Sequence, residues 1–248
     1  MVLGHPSLGL VSLVFLAGAL VLTFFIILAG VSTTTPLDKT YFLRADTSLI
    51  TGARSISQWT YFYICSPGNV DCTKASPAMP FGHAWADSAA GVPDGLSGGF
   101  AGHTTSKYYF YMWRFGWVFY LISLFFMVTA FFTGFLACCG RLGSAISGFT
   151  SLVALFFYSV AASLMTATFV KARDAFKHDG RDASIGRYAF GFTWGAWAAL
   201  FIASVLFCLG VRSRNDGVSD RRGWRRRRST RSRRSYDVGS KRVKDDYS

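Results

Sequence analysis

Long apolar runs alternate with polar stretches along the 248 residues, and the charged positions mark the borders. No Lys, Arg, Asp or Glu occurs in residues 1–37, 115–140, 142–170 or 188–211. About 20 apolar residues in a helix cross a bilayer core of roughly 30 Å. Each window is long enough. The pattern therefore predicts four transmembrane helices, over 8–31, 114–138, 144–169 and 188–211. Between them lie a short N-terminal segment (1–7), a large polar loop (32–113), a tight turn (139–143), a second polar loop (170–187) and a tail (212–248). The first helix has no basic residue before it and exceeds the 7–15 apolar residues of a signal peptide, so it reads as a retained span.

Finer patterning appears inside the loops. Residues 41–48 (YFLRADTS) and 57–65 (SQWTYFYIC) are aromatic and partly alternating, which predicts strands. Residues 91–102 are glycine-rich and read as a flexible connection. The turn at 138–143 leaves room only for an antiparallel pair of helices lying side by side. Aromatic clusters open the second and fourth helices (Tyr108, Tyr109, Trp113 and Trp117; Tyr188, Trp194 and Trp197), as rings do at headgroup level. The fold class this predicts is an all-α membrane protein, a four-transmembrane-helix bundle carrying a small β-sheet built from the first loop.

Composition agrees and charge adds direction. Hydrophobic residues make up 51% and charged residues only 16%, against about a quarter charged in soluble domains. Of the net +13, the tail carries fourteen Lys or Arg against five Asp. The positive-inside rule puts that tail in the cytosol. Four crossings then place both termini in the cytosol and the sheet-bearing loop outside.

On the outer side, Cys65 and Cys72 flank the turn sequence of residues 66–69, where an oxidising setting favours a disulfide. A metal site there lacks partners, since His83 and His103 stand apart, and these with His5 and His178 read as ordinary residues. Cys138 and Cys139 sit at the cytosolic end of the second helix as candidates for S-palmitoylation, with Cys208 a weaker one; the alternative is small apolar residues at helix ends. Gly191, Gly195, Ala199 and Ala203 form a smooth ridge on the fourth helix, suited to close packing inside the bundle or against another copy.

The tail segment 221–234 cannot bury a core and reads as disordered. Its arginines, Arg221, Arg222, Arg225, Arg226, Arg227, Arg228, Arg231, Arg233 and Arg234, suit anionic lipid at the inner leaflet, at about 1 kcal/mol per basic residue. Ser229, Thr230, Ser232 and Ser235 among them are candidate phosphorylation sites that would weaken this attraction. An arginine-based trafficking signal is the rival reading; nucleic acid is not expected as a partner of a membrane-anchored tail. Apart from Arg114 at the very start of the second, no Lys, Arg, Asp, Glu or His lies within the four helices, where transport pathways carry such groups, and no catalytic, cofactor or metal motif is found.

Trp59, the close pair Cys65 and Cys72, and the following Pro77, Pro80 and Phe81, set between a first helix and three more, resemble the fungal SUR-seven/PalI family, whose members are distantly claudin-like. The likeness spans about residues 5–211. It implies a claudin-like fold and a non-enzymatic plasma-membrane protein of eisosomes, the furrow-like compartments of fungi, supporting membrane organisation, cell-wall integrity and endocytosis. Partners would be anionic lipids, other eisosomal or cortical proteins, and further copies in a homo-oligomer. The PalI branch implies instead a component of an ambient-pH sensing complex. A transporter or channel subunit is a third reading, weakened by the absent polar pathway.

Overall fold

A computed structural model describes residues 5–137 and 141–229. Four helices dominate: α1 (His5–Ile27), α2 (Lys107–Ala137), α3 (Arg141–His178) and α4 (Arg187–Ser229). All four carry stretches long and apolar enough to cross a membrane. The four-helix bundle with a small sheet is thus the fold. Its tightest pairings are α2 with α3 and α1 with α4, with α3 against α4 joining the two pairs.

Small residues set the inner faces. Ala154, Ala161, Ala162, Ala196 and Ala203 are all fully buried, letting backbones approach where dispersion drives association. Outward-facing Phe125, Phe132, Phe149 and Phe156 are exposed, as a lipid-facing surface requires. Two polar pairs tie helices together inside the bundle. The Tyr120 hydroxyl and Thr193 Oγ1 lie 2.8 Å apart, and Trp197 Nε1 donates to Ser159 Oγ at 2.8 Å.

The sheet has four antiparallel strands in the order β3-β2-β1-β4, with β1 Leu43–Asp46, β2 Ile56–Trp59, β3 Ile64–Cys65 and β4 Ala183–Ile185. Two details depart from the expectation. The stretch 57–65 is not one strand but two, because Thr60 turns the chain: its N–H and its hydroxyl both donate to the Tyr63 carbonyl, at 2.9 and 3.0 Å. The sheet also draws on the second loop, since β4 pairs with β1 through Arg44↔Ser184. A three-residue strand is too short to show a period of two, so pairing alone reveals it.

The helices outrun their predicted windows. α3 continues through charged Lys171, Arg173 and Asp174 to His178, shortening the second loop. The backbone of α4 is helical to Ser229, and so runs into the segment 221–234 that reads as disordered. Extending an existing helix needs no new nucleus, and arginine is a good helix former. Residues 91–102 are anchored and not loose: Leu96 is fully buried, and its carbonyl accepts from Ser106 N–H at 2.8 Å.

Candidate functional site

Directly opposed residues in an antiparallel sheet share a face. One face carries Ile64, Trp59, Leu43 and Ile185; the next row, on the other face, carries Cys65, Gln58, Arg44 and Ser184. The Trp59 face rests on the ends of the helices, and the Arg44 face is turned away from the bundle.

The bundle-side face is an aromatic block. Trp59 stacks on Phe81 with centroids 5.0 Å apart, and Phe42 stacks on Phe169 of α3, also at 5.0 Å. Trp113 of α2 meets Phe169 edge-on at 4.7 Å. Two of the buried indoles have an acceptor: Trp59 Nε1 donates to the Phe81 carbonyl at 3.0 Å, and Trp85 Nε1 to the Thr104 carbonyl at 3.1 Å. Tyr61 reaches furthest, its hydroxyl donating to the Trp117 carbonyl of α2 at 2.7 Å. Burial, with Tyr120 nearby, pushes the Tyr61 hydroxyl well above the usual tyrosine range, so it stays a donor.

Glycine permits two close approaches. Gly82, beside Phe81, lies so near the Thr104 carbonyl that a Cβ would collide with it, and Gly186 does the same against the Tyr41 carbonyl. The Gly186 N–H donates to the Phe42 carbonyl at 3.1 Å, which fixes the passage from β4 into α4.

The disulfide joins Cys65 to Cys72, with Cα atoms 4.0 Å apart. Within its loop Gly68 and Asn69 adopt positive φ, 83° and 53°, the turn that residues 66–69 predict. Asn69 then donates to the Leu37 and Thr40 carbonyls at 2.6 and 3.1 Å, folding the loop onto the chain ahead of β1. Arg54 braces the other side, donating to the Ile64 carbonyl at 2.7 Å and approaching Asp71 at 3.5 Å.

The predicted site residues thus fall into three groups. Trp59, Phe81, Cys65 and Cys72 are brought together around the sheet; Pro80 precedes the short 3-10 turn Phe81–Ala84 that presents Phe81, and Pro77 is exposed. Cys208 is free and exposed on α4, while Cys138 and Cys139 lie outside the described residues. Arg221, Arg222, Arg225, Arg226, Arg227, Arg228 and Ser229 fall on the helical extension of α4; Arg231, Arg233, Arg234, Thr230, Ser232 and Ser235 lie outside the described residues. Sequence reasoning missed Tyr61 and Arg54, which resemble ordinary loop residues until their partners are known, and it read Asn69 only as part of a turn, not as a donor to Leu37 and Thr40.

Comparison with known proteins matches the SUR7/PalI family over residues 8–206. The chain belongs to that family. It is 35% identical over 201 residues to Protein SUR7 of Candida albicans, covering 81% of this chain and 73% of that one. It is 32% identical over 220 residues to an uncharacterised plasma membrane protein of Saccharomyces cerevisiae, covering 85% and 71%. The SUR7 family protein FMP45 of Saccharomyces cerevisiae is 33% identical over 210 residues, covering 79% and 66%. The matched stretch holds the first three spans, most of the fourth, the sheet and the disulfide, and stops short of the arginine-rich segment.

Proposed function

We propose that this protein is a non-enzymatic organiser of the fungal plasma membrane, a component of eisosome-type compartments that supports membrane organisation, cell-wall integrity and endocytosis. The supporting observation is the division of the molecule into two dissimilar ends: a rigid, disulfide-pinned sheet at one, an arginine-rich extension at the other. With the extension in the cytosol, as the distribution of Lys and Arg favours, both termini are cytosolic and the sheet faces outward. The arginines hold anionic lipid of the inner leaflet, and the exposed aromatic helix faces offer surface to cortical partners or further copies. Acylation of Cys138 or Cys139 and phosphorylation among Ser229, Thr230, Ser232 and Ser235 would tune that hold in opposite directions.

Two of the three relatives named above carry SUR7 in their names, which favours the organising branch over the PalI-type sensor. Fluorescence imaging of a tagged copy in living fungal cells tests the reading. Stable cortical patches are expected; diffuse reticular signal would contradict it. Deletion that blocks alkaline-response signalling while leaving furrows normal would instead establish the sensor.

A further inference from the structure

The polar face of the sheet divides by charge. β1 and β4 are antiparallel, and β4 passes through Gly186 directly into α4. Their Leu43 and Ile185 ends therefore lie toward the bilayer, and their Asp46 and Asp182 ends away from it. Those two carboxylates line an outlying cavity of about 590 Å³. The adjoining cavity, about 510 Å³, is the one that residues of α4 line. Around it stand Lys39, Arg44 and Arg187 against the carboxylate of Asp38; Arg44 lines both cavities. No ion pair or side-chain hydrogen bond engages the three cations among the described residues. Three cations against one carboxylate leave the cavity basic, so it selects an anion.

The backbone adds to this. α4 begins at Arg187, and the first N–H groups of a helix have no acceptor within it. Gly186 ahead of them has no side chain to cap them, and the first turn holds no acidic residue. The positive end of the helix dipole is thus left open beside the same cavity.

Position narrows the anion. Arg187 and Tyr188 open the fourth apolar span, and Tyr188 is 43% exposed, which puts the cavity at the height of lipid headgroups. The anion a bilayer concentrates at that height is phosphate. A choline ammonium beside it would meet the cations, so the excess charge favours headgroups without one. One turn below Tyr188, on the same face of the helix, Gly191 is exposed and has nothing within 4 Å of where a Cβ would lie. That open turn gives an acyl chain a path down α4.

We propose that this cavity binds the phosphate of an anionic lipid in the leaflet beside the sheet, with Lys39, Arg44 and Arg187 donating to its oxygens and an acyl chain lying over Gly191. The inference goes beyond the organising role; with the sheet outward, the leaflet is the outer one, opposite the arginine-rich tail.

The test uses the full chain in phosphatidylcholine nanodiscs with a trace of phosphatidylglycerol carrying a diazirine on its acyl chain. After illumination, adducts are mapped by peptide, which separates the cavity from the tail. Adducts on residues 187–195 are expected, competed by unlabelled phosphatidylglycerol. Arg44→Gln and Arg187→Gln should each lower them about fivefold, the worth of one basic residue at an anionic surface, at unchanged melting temperature. Gly191→Leu fills the open turn and should lower them too, with the cations intact. Equal adducts on 187–195 in the wild type and both arginine variants, or adducts confined to the tail, overturn the proposal. Competition by inorganic phosphate, with Gly191→Leu matching the wild type, would assign the cavity to a soluble phosphate and overturn the lipid assignment. The measurement is made on purified protein, so its failure leaves the cortical-patch result untouched.

Discussion

At the scale of single residues, stability is concentrated where the sheet meets the helices. The Tyr61 hydroxyl is the direct polar link from the β2–β3 turn to α2. Tyr61→Phe should lower unfolding free energy by about 1 kcal/mol, the usual net worth of a buried hydrogen bond. It should also change the pH profile. A folded-state pKa raised by burial means the unfolded chain gives up its proton first, near pH 10 for an ordinary tyrosine. The contribution of Tyr61 is therefore complete below about pH 10 and is lost as pH rises above it. Melting curves from pH 8 to 11 should show a shallower alkaline decline in the Phe variant; identical slopes would mean Tyr61 is not held protonated by the fold. Gly186→Ala places a methyl against the Tyr41 carbonyl and should destabilise by about 1–3 kcal/mol, the range for overpacking. These residues were not legible in advance. A tyrosine among tyrosines, or a glycine in a loop, carries no mark of its partner until the chain is folded.

Elements were more legible, for a physical reason. A bilayer forbids unpaired charge over some 20 residues, so four uncharged windows reveal four helices. Their ends were less clear because α2 and α3 continue into water, with Arg114 over the Phe110 ring at 4.2 Å and Lys171 over that of Tyr108 at 4.0 Å. The hairpin of β2 and β3 was hidden by a turn lacking Gly, Pro or Asn at residues 60–63. The disulfide was readable from spacing and setting. Removing it by Cys72→Ser should cost about 2–3 kcal/mol on the chain-entropy estimate for so short a loop, seen as a lower melting temperature that reductant no longer changes. In the bundle, the small-residue ridge proves to lie at the edge of the α1 contact: Gly195 faces Leu22, Gly191 meets nothing within 4 Å, and Ala196 and Ala203 are buried. Ala196→Leu should thus disrupt the packing of α4, while Gly191→Leu should be tolerated in the monomer; equal loss of detergent-extracted folded protein would contradict that assignment.

At the scale of the whole molecule, everything depends on polarity across the membrane. A sheet pinned by a disulfide suits the oxidising side; an arginine-rich extension suits the anionic inner leaflet. The family match covers the first of these and not the second, so the shared architecture and the lipid-holding extension are separable. Truncation after residue 211 should leave the melting temperature of the bundle unchanged while abolishing binding to phosphatidylserine liposomes, read by co-flotation. The most direct test places one epitope in the exposed segment near Asp87 and Ser88, and another after residue 248, in intact spheroplasts probed with antibody. Staining of the first is predicted, with none of the second until the membrane is permeabilised. Staining of the C-terminal epitope on intact cells would contradict the proposed orientation.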